Sequence, residues 1–287
     1  MEYKSAAALA PGTCGELVQG SINGRDFLVT CPVDLWSKLS VFYTEHVEQD
    51  HLFPKAAKAI QMAYEKKKTA GSKLGFIRKS ELPIGKGMGS STADIAAAYA
   101  AACRLLDVKI NEDEIADVAL AIEPSDGLMY PGICLFDHRK GLWREPLGQA
   151  PPLNVVIIDP GGEVDTLEFN SKKDLQILNA KKEQEIIKAL AYVREGIAEQ
   201  DPEKIGRGAT ISALANQEIL FKPQLEEIIK FSVQLKAMGV NVAHSGTVIG
   251  ILLAEIGPHV MEAADYIQKK FPQCAIYTSK IISGGIK

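Results

Sequence analysis

The stretch PIGKGMGSSTA at residues 83–93 constrains the fold of this 287-residue chain more than any other segment. Three glycines stand at alternate positions in it, and two serines and a threonine follow directly, at the head of an alanine-rich run. Glycine adopts the left-handed backbone angles of tight turns, whereas alanine is the strongest helix former. The sequence therefore predicts a tight loop over 83–89 and a helix from Ser91 to Leu106.

A junction of this kind is suited to binding phosphate. Backbone N–H groups of a glycine-rich loop can converge on one point without clashes from Cβ atoms, and a helix N-terminus adds unpaired donors with a partial positive charge. The spacing differs from the P-loop pattern G-x-x-x-x-G-K-[ST] and from the dinucleotide pattern G-x-G-x-x-G. The alternative interpretation is a flexible turn capped by serine.

The charge balance argues against a polyanionic partner. The chain has 32 Lys and Arg residues against 36 Asp and Glu residues, a formal net charge of -4. Such a chain has no general attraction to nucleic acid or to anionic lipid. No window holds the roughly 20 apolar residues of a membrane span. From the charge and from this lack of an apolar window, we expect neither nucleic acid nor a membrane as a partner.

The cysteines indicate a reducing compartment. They are odd in number, widely spaced, and form no C-x-x-C pair of the type used in zinc and redox sites. The N-terminus also lacks the basic start and apolar core of a secretory signal. We therefore expect a cytoplasmic protein with five free thiols: Cys14, Cys31, Cys103, Cys134 and Cys274.

The first half of the chain begins with strands and turns. Residues 28–31 and 38–43 are rich in residues that favour strands, and Asn23-Gly24 is a strong hairpin signal, so we expect an antiparallel meander. Farther along, the sequence predicts a helix over 55–67, a strand over 75–78, a helix over 112–122 capped by Asn111, and a buried strand over 153–159.

The second half has more helix. A Gly/Pro-rich stretch over 148–152 suggests a boundary near Ala150, which divides the chain into domains 1–150 and 151–287. Apolar spacing then predicts helices over 172–199, 202–220 and 223–238, and strands over 248–254 and 275–278 around a helix over 258–270. Strands separated by helices in this way indicate an α+β domain.

Three segments, taken in order, resemble the motifs of the GHMP kinase family. Residues 83–93 are similar to the second motif, P-x-x-x-G-[LM]-G-S-S-[AST]-[AG]. APGTCGELVQG at 10–20 resembles the first motif, and NVAHSGTVIG at 241–250 resembles the third. The resemblance implies a two-lobe α+β fold, with an N-terminal lobe like domain 2 of ribosomal protein S5 and a ferredoxin-like C-terminal lobe.

The resemblance also implies a site for ATP and Mg²⁺ between the two lobes. In the family the second motif wraps the phosphates of ATP, and a hydroxyl at its end helps to hold the metal. The residues that would bind ATP here are Pro83, Gly85, Lys86, Gly87, Met88, Gly89, Ser90, Ser91 and Thr92.

Within the family, the wording of the first motif and of Thr30 to Asp34 (TCPVD) is most similar to the L-threonine kinases of cobalamin synthesis. This branch phosphorylates the side-chain hydroxyl of L-threonine. The product, O-phospho-L-threonine, would supply the aminopropanol linker of cobalamin. We expect the enzyme to be a monomer or a homodimer.

Three residues are candidates for the chemistry. Phosphoryl transfer depends on metal binding and charge neutralisation, so carboxylates near the loop matter. By resemblance, Glu123 and Ser91 would hold Mg²⁺, and Asp126 would accept the proton of the acceptor hydroxyl. Family members with a catalytic aspartate usually carry P-S-G-x-D, whereas this chain has PSDG at 124–127, so Asp126 is alternatively a ligand of the substrate amino group or a cap of the turn.

The first motif departs from the family at Thr13, where several relatives carry Lys or Arg. A free amino acid needs an acceptor for its ammonium group and donors for its carboxylate. Glu16 and Asp34 are the candidate acceptors, although each is equally a turn or surface carboxylate. The remaining candidates for substrate binding are Thr13 and Cys14 in the first motif and Ser245 and Gly246 in the third.

Two other functions remain open from the sequence. The acceptor can be homoserine or another small alcohol, which a panel of acceptors would reveal. The chain can also be a nucleotide sensor that has kept the fold without the chemistry. ATP binding without ADP release would favour the sensor, whereas the presence of Ser91, Glu123 and Asp126 argues against it.

Overall fold

The structure is a computed structural model that describes residues 4–45, 52–67, 73–162, 164, 174–254 and 260–287. The strands are β1 (Ser5–Ile22), β2 (Arg25–Thr44), β3 (Lys73–Ser80), β4 (Ile133–Phe136), β5 (Arg144–Gly148), β6 (Leu153–Asp159), β7 (Gly239–Val242), β8 (Ile249–Ala254) and β9 (Ala275–Ile281). The α-helices are α1 (Pro54–Lys67), α2 (Ser90–Leu105), α3 (Glu112–Ile122), α4 (Leu175–Lys181), α5 (Glu183–Glu199), α6 (Pro202–Ala215), α7 (Leu225–Gln234) and α8 (Val260–Lys270).

Two long strands, β1 and β2, form the predicted hairpin in the N-terminal half. They are joined at Asn23 and Gly24, which both have positive φ, 51° and 70°. This is the conformation that an Asn-Gly hairpin turn requires. Strand β3 pairs antiparallel with β2, so the three strands are antiparallel neighbours, and the two β-rich runs predicted over 28–31 and 38–43 both belong to the single strand β2.

Helix α2 is the central helix of the N-terminal half. Its many alanines let it pack closely against β1, β2, α1 and α3, and it is buried along almost its whole length. Asp94 is a buried exception in this apolar helix. It accepts hydrogen bonds from Ser37 Oγ on β2 (2.5 Å) and from Arg78 Nε on β3 (2.7 Å), which fixes α2 over the sheet.

The C-terminal half has the topology of a ferredoxin-like fold. Its four strands lie side by side in the order β7, β8, β6, β9, with every neighbouring pair antiparallel. Along the chain, helices separate β6 from β7 and β8 from β9, which is the split βαβ arrangement. The expectation of a two-lobe α+β fold is thereby confirmed.

Strands of the two halves also pair with each other. Glu16 on β1 lies opposite Val242 on β7, and Val33 on β2 lies opposite Ile281 on β9. One large apolar core contains residues from before and after residue 150. The sheet therefore continues across the predicted domain boundary.

Tertiary contacts shorten or divide several predicted helices. The helix predicted over 172–199 is two helices, broken at Lys182, whose buried ammonium donates to Asn216 Oδ1 (2.9 Å). The helix predicted to reach residue 220 ends at Ala215, and a short 3₁₀ turn follows. The first residues of two predicted helices, 172–173 and 258–259, lie outside the described residues.

Two further expectations concern the whole chain. All five cysteines are buried free thiols, as predicted. Among the helices that the structure describes, none combines the length and the apolar character needed to cross a membrane.

Candidate active site

A cleft of about 680 Å³ lies where the two halves of the chain meet. The glycine-rich loop and the start of α2 form one wall. The start of α1, the turn from Glu123 to Asp126, and the segment after β7 form the others. Glu16 on β1 and Leu28 on β2 lie at the bottom.

The predicted loop-to-helix junction is present at residues 83–90. Gly85, Gly87 and Gly89 have φ of 75°, 80° and 64°, a left-handed conformation that other residues rarely adopt. Helix α2 begins at Ser90, one residue earlier than predicted, and its first N–H groups have no partner within the helix. These donors border the cleft, so this wall can bind an anion.

The first and third motifs hold the loop in place. Thr13 N donates to Met88 O at 2.9 Å, and Thr247 N donates to Lys86 O at 3.0 Å. Gly87 lies directly against Gly246, where a Cβ atom on Gly87 would come within 2.8 Å of the Gly246 Cα atom. The structure thus brings the three motifs of the sequence together at one end of the cleft.

Ser91 and Glu123 meet beside the loop. Ser91 Oγ donates to Glu123 Oε1, so the hydroxyl at the head of α2 contacts the carboxylate at the end of α3. Lys55 Nζ, from the start of α1, lies 2.5 Å from Glu123 Oε2 and 3.3 Å from Ser91 Oγ. Two oxygen atoms, Ser91 Oγ and Glu123 Oε2, therefore contact a cation at this point.

These residues fit a magnesium ion. The Lys55 ammonium is a stand-in cation, and it is 48% exposed, so it can swing away while Glu123, 6% exposed, stays fixed. Mg²⁺ prefers hard oxygen ligands and usually binds one or two protein groups, keeping water and substrate phosphates for the rest. The described residues hold no cluster of three His, Cys, Asp or Glu for a fully protein-bound metal.

Asp126 lines the cleft beside the glycine-rich loop, which is called the phosphate loop below. Its carboxylate borders Gly89, and its backbone N–H donates to Thr92 Oγ1 at 3.3 Å. Burial, together with the negative charge of Glu123, raises the pKa of Asp126 to about 6. A carboxyl group with a pKa near neutrality can both accept and release a proton under cellular conditions.

Glu16 is a second carboxylate at the bottom of the cleft. It is 4% exposed, and its Oε2 atom has no hydrogen-bond partner. Burial, and then the charge of Asp126, raises the pKa of Glu16 well above its ordinary value. Thr13 Oγ1 is likewise buried without a partner. Buried polar atoms are normally satisfied, so these two are available to a ligand.

Some predicted residues lie away from the cleft. Asp34 sits in a β-bulge of β2, where it has no partner on β1, and its exposed carboxylate accepts from Trp36 Nε1 (2.6 Å). The side chain of Cys14, within the first motif, is buried beside Asn241, and burial raises the pKa of its thiol. Neither Asp34 nor Cys14 is among the residues that line the cleft.

Other predicted residues support the site without facing it. Lys86 turns its ammonium away from the cleft, donating to Gly162 O (2.6 Å) and pairing with Asp159 (3.5 Å). Gly246 contacts the loop, whereas its neighbour Ser245 borders the cleft. The side chain of Lys86 is thus a link between the two halves of the chain.

The cleft residues that the sequence analysis missed include Lys55, His138 and His244. Lys55 stands at the start of an ordinary amphipathic helix, and no local pattern marks it. His138 follows a four-residue strand that was not predicted. His244 lies within the third motif, and that position was its only signal.

Comparison with known proteins supports a functional assignment. The profile described as "GHMP kinases N terminal domain" matches residues 51–134. The L-threonine kinase of Salmonella typhimurium (strain LT2) is 31% identical over 249 residues, which cover 86% of this chain and 83% of that protein.

Solved structures share the fold at low sequence identity. Homoserine kinase from Cytophaga hutchinsonii superposes with a TM-score of 0.77 at 18% identity, covering 100% of this chain and 98% of that one. A complex of MDDEF with MVAPP, AMPPCP and magnesium has a TM-score of 0.73 at 14% identity, covering 99% and 98%.

The raised pKa of Asp126 has a consequence for stability. A carboxyl whose pKa is higher in the folded state than in the unfolded chain stabilises the fold at low pH, and this contribution is lost as pH rises through the folded value, about 6. Because asparagine is neutral throughout, we expect Asp126→Asn to be more stable than wild type by about 1–3 kcal/mol at pH 8. The difference should shrink toward zero near pH 4, in urea unfolding followed at both pH values.

Asp137→Asn is the matched control. Asp137 is also buried, but its two oxygens accept backbone N–H bonds from Arg139, Lys140 and Leu142. Asparagine cannot accept at both positions, so this variant should lose about 1–3 kcal/mol at pH 8. If the Asp126→Asn protein is less stable than wild type at pH 8, the raised pKa of Asp126 in the folded protein is contradicted.

Proposed function

Because the chain belongs to the GHMP kinase family and is a kinase, we propose that it transfers the γ-phosphoryl group of Mg·ATP to the side-chain hydroxyl of L-threonine. The products are O-phospho-L-threonine and ADP. The observation that carries this proposal is the convergence of Ser91, Glu123 and a cation at the head of α2, with Asp126 lining the same cleft beside Gly89. Identity over most of the chain to an L-threonine kinase supports the choice of acceptor.

The glycine-rich loop is the proposed site of the ATP phosphates. Its backbone and the unpaired N–H groups at the start of α2 supply donors for phosphate oxygens. In-line phosphoryl transfer involves little covalent chemistry for the protein, so positioning and charge stabilisation dominate. A structural neighbour that holds AMPPCP and magnesium supports nucleotide binding on this fold.

Ser91 and Glu123 are the proposed ligands of Mg²⁺. When bound, the metal neutralises charge on the phosphate oxygens. Lys55 pairs with Glu123 in the structure, and its half-exposed side chain would leave room for the metal beside Glu123 and Ser91. The first motif has Thr13 where relatives carry a cation, so Lys55 is a positive side chain that this cleft supplies instead.

Asp126 is the proposed proton acceptor for the threonine hydroxyl. It borders Gly89 of the phosphate loop, so a hydroxyl held against it faces the transferring group. Glu16, with its unpaired Oε2 atom, is the proposed acceptor for the substrate ammonium. Thr13 and Ser245 complete the proposed contacts around the substrate.

The setting of the reaction is proposed from the sequence resemblance. The product would supply the aminopropanol linker of cobalamin. The enzyme would act in the cytoplasm as a monomer or a homodimer, with lobes divided near residue 150.

An acceptor panel tests the function directly. We expect purified protein with Mg·ATP to release ADP rapidly with L-threonine, and much more slowly with L-serine, L-homoserine or mevalonate. Each assay is read as ADP formed above a control without acceptor. Faster turnover with L-homoserine would overturn the choice of substrate, and ADP release with none of the four would overturn the proposed function.

Replacing Glu123 tests the metal site. Glu123→Gln keeps the shape and the capacity to accept from Ser91 but removes the charge that attracts Mg²⁺. Because the metal contributes several kcal/mol of charge stabilisation, we expect kcat with L-threonine to fall about 100-fold or more. Glu114→Gln, an exposed carboxylate on the same helix that pairs with Lys66, is the control and should retain wild-type kcat. Near-normal turnover in Glu123→Gln with an intact fold would refute the assignment.

A further inference from the structure

Two buried histidines meet in the part of the cleft that is proposed to bind the acceptor substrate, near Glu16 and Ser245, and this part is called the acceptor end below. His138 follows β4 and His244 follows β7, and their rings contact edge to face with centroids 4.9 Å apart. Both residues border the cleft, as does Glu16. The backbone carbonyl of His138 accepts from Ser125 N at 2.9 Å, which connects the pair to the turn that carries Asp126.

The orientation of the His244 ring is fixed by Gln19. The Gln19 Nε2 group donates to Val242 O at 3.1 Å, so the amide oxygen is the atom that faces His244 Nδ1, at 2.9 Å. An amide oxygen only accepts, so Nδ1 of His244 carries the hydrogen. Strand β1 therefore holds the ring in one position and one tautomer.

Two buried lysines lie behind the histidines. Lys182 is 7% and Lys222 is 5% exposed. Lys182 donates to Asn216 Oδ1 (2.9 Å) and Lys222 to Gly246 O (2.5 Å), and within the described residues neither forms an ion pair with a carboxylate. Burial lowers the pKa of Lys182 to about 7 and that of Lys222 to about 8. The charge of Asp26 offsets the burial of Lys182 only in part, and buried ammonium groups that form no ion pair are costly, so an anion bound nearby would stabilise them.

The electrostatic field at His244 is positive. Its pKa is lowered well below the ordinary value by burial first, and then by His138, Lys182, Arg139 and Lys222. The opposite charge lies on β1 and on the turn after α3, where the carboxylates of Glu16 and Asp126 interact. The acceptor end of the cleft therefore has a positive side and a negative side.

We propose that this end of the cleft binds the zwitterion of an α-amino acid, with His138 receiving the α-carboxylate opposite Glu16, which receives the α-ammonium, while the fixed His244 ring positions His138 by its edge-to-face contact. The proposal rests on the proposed function and adds the basis of its specificity. An alcohol that lacks the carboxylate would leave the positive side of the cleft without an opposite charge, and one that lacks the ammonium would leave Glu16 without one. The β-hydroxyl of the amino acid is then the group left to face Asp126 and the phosphate loop.

Analogues of L-threonine that each lack one of its two charges test the two sides separately. L-Threoninamide lacks the carboxylate charge, and 3-hydroxybutyrate lacks the ammonium. For wild type we expect KM for L-threonine to be at least about 10-fold below KM for either analogue, since a hydrogen bond to a charged group is stronger than one to a neutral group. Isothermal titration of each compound, without nucleotide, should give the same order of Kd.

Variants at His138 and Glu16 should each change the KM of only those compounds that carry the charge bound by that residue. We expect His138→Leu to raise KM for L-threonine about 10-fold or more, with KM for L-threoninamide changed less than about 2-fold and kcat changed little. His138→Gln, which keeps a donor, should recover part of the L-threonine affinity. Glu16→Gln should weaken L-threonine and L-threoninamide alike, without affecting 3-hydroxybutyrate. Titration with ATP shows whether each variant keeps the phosphate loop intact.

The outcomes separate this proposal from the function on which it rests. If wild type phosphorylates L-threonine but binds L-threoninamide equally well, the zwitterion site is refuted and the function stands. If His138→Leu and His138→Gln raise both KM values equally, the histidine has only a structural role and the proposal is again refuted. If L-threonine is not a substrate at all, the proposed function itself fails.

Discussion

The contact between Gly87 and Gly246 is the constraint on which the geometry of the cleft depends. Any side chain at Gly87 would meet Ala243 Cβ at 2.5 Å, so two segments far apart in sequence approach as bare backbone. Thr247 and Val248 donate to the carbonyl of Lys86, and the buried Lys222 ammonium binds the carbonyl of Gly246. Because of these contacts, the phosphate loop of the N-terminal half has a fixed position relative to the segment that carries His244.

Charge is distributed along the cleft in a way that separates three tasks. The N-terminus of α2 offers donors for an anion. Beside it, Glu123 and Ser91 form a cation site that Lys55 fills in the structure. Elsewhere in the cleft, burial raises the pKa of both Asp126 and Glu16; the charge of Glu123 adds to the rise for Asp126, and the charge of Asp126 adds to the rise for Glu16. A substrate that brings an ammonium offsets these negative charges, which links substrate binding to the ionisation of both carboxylates.

Local signals made much of this structure predictable. The hairpin at Asn23-Gly24, the cap at Asn111 and the loop before α2 depend on a few neighbouring residues, and each is present. Glu123 and Ser91 were predicted from resemblance alone, and their contact is tertiary. Nothing local could reveal that Lys55 reaches Glu123 or that a bulge turns Asp34 outward, because both depend on how distant strands and helices pack.

The most direct test of the central claim is to follow phosphorus itself by ³¹P NMR in a sample of wild-type protein, Mg·ATP and L-threonine. We expect the γ-phosphate resonance of ATP to decline while ADP and a phosphomonoester resonance grow in equal amounts, with the ester matching added O-phospho-L-threonine. Growth of inorganic phosphate in place of the ester would show hydrolysis without transfer. That result, or an unchanged ATP spectrum, would contradict the assignment of this cleft as a threonine phosphotransferase site.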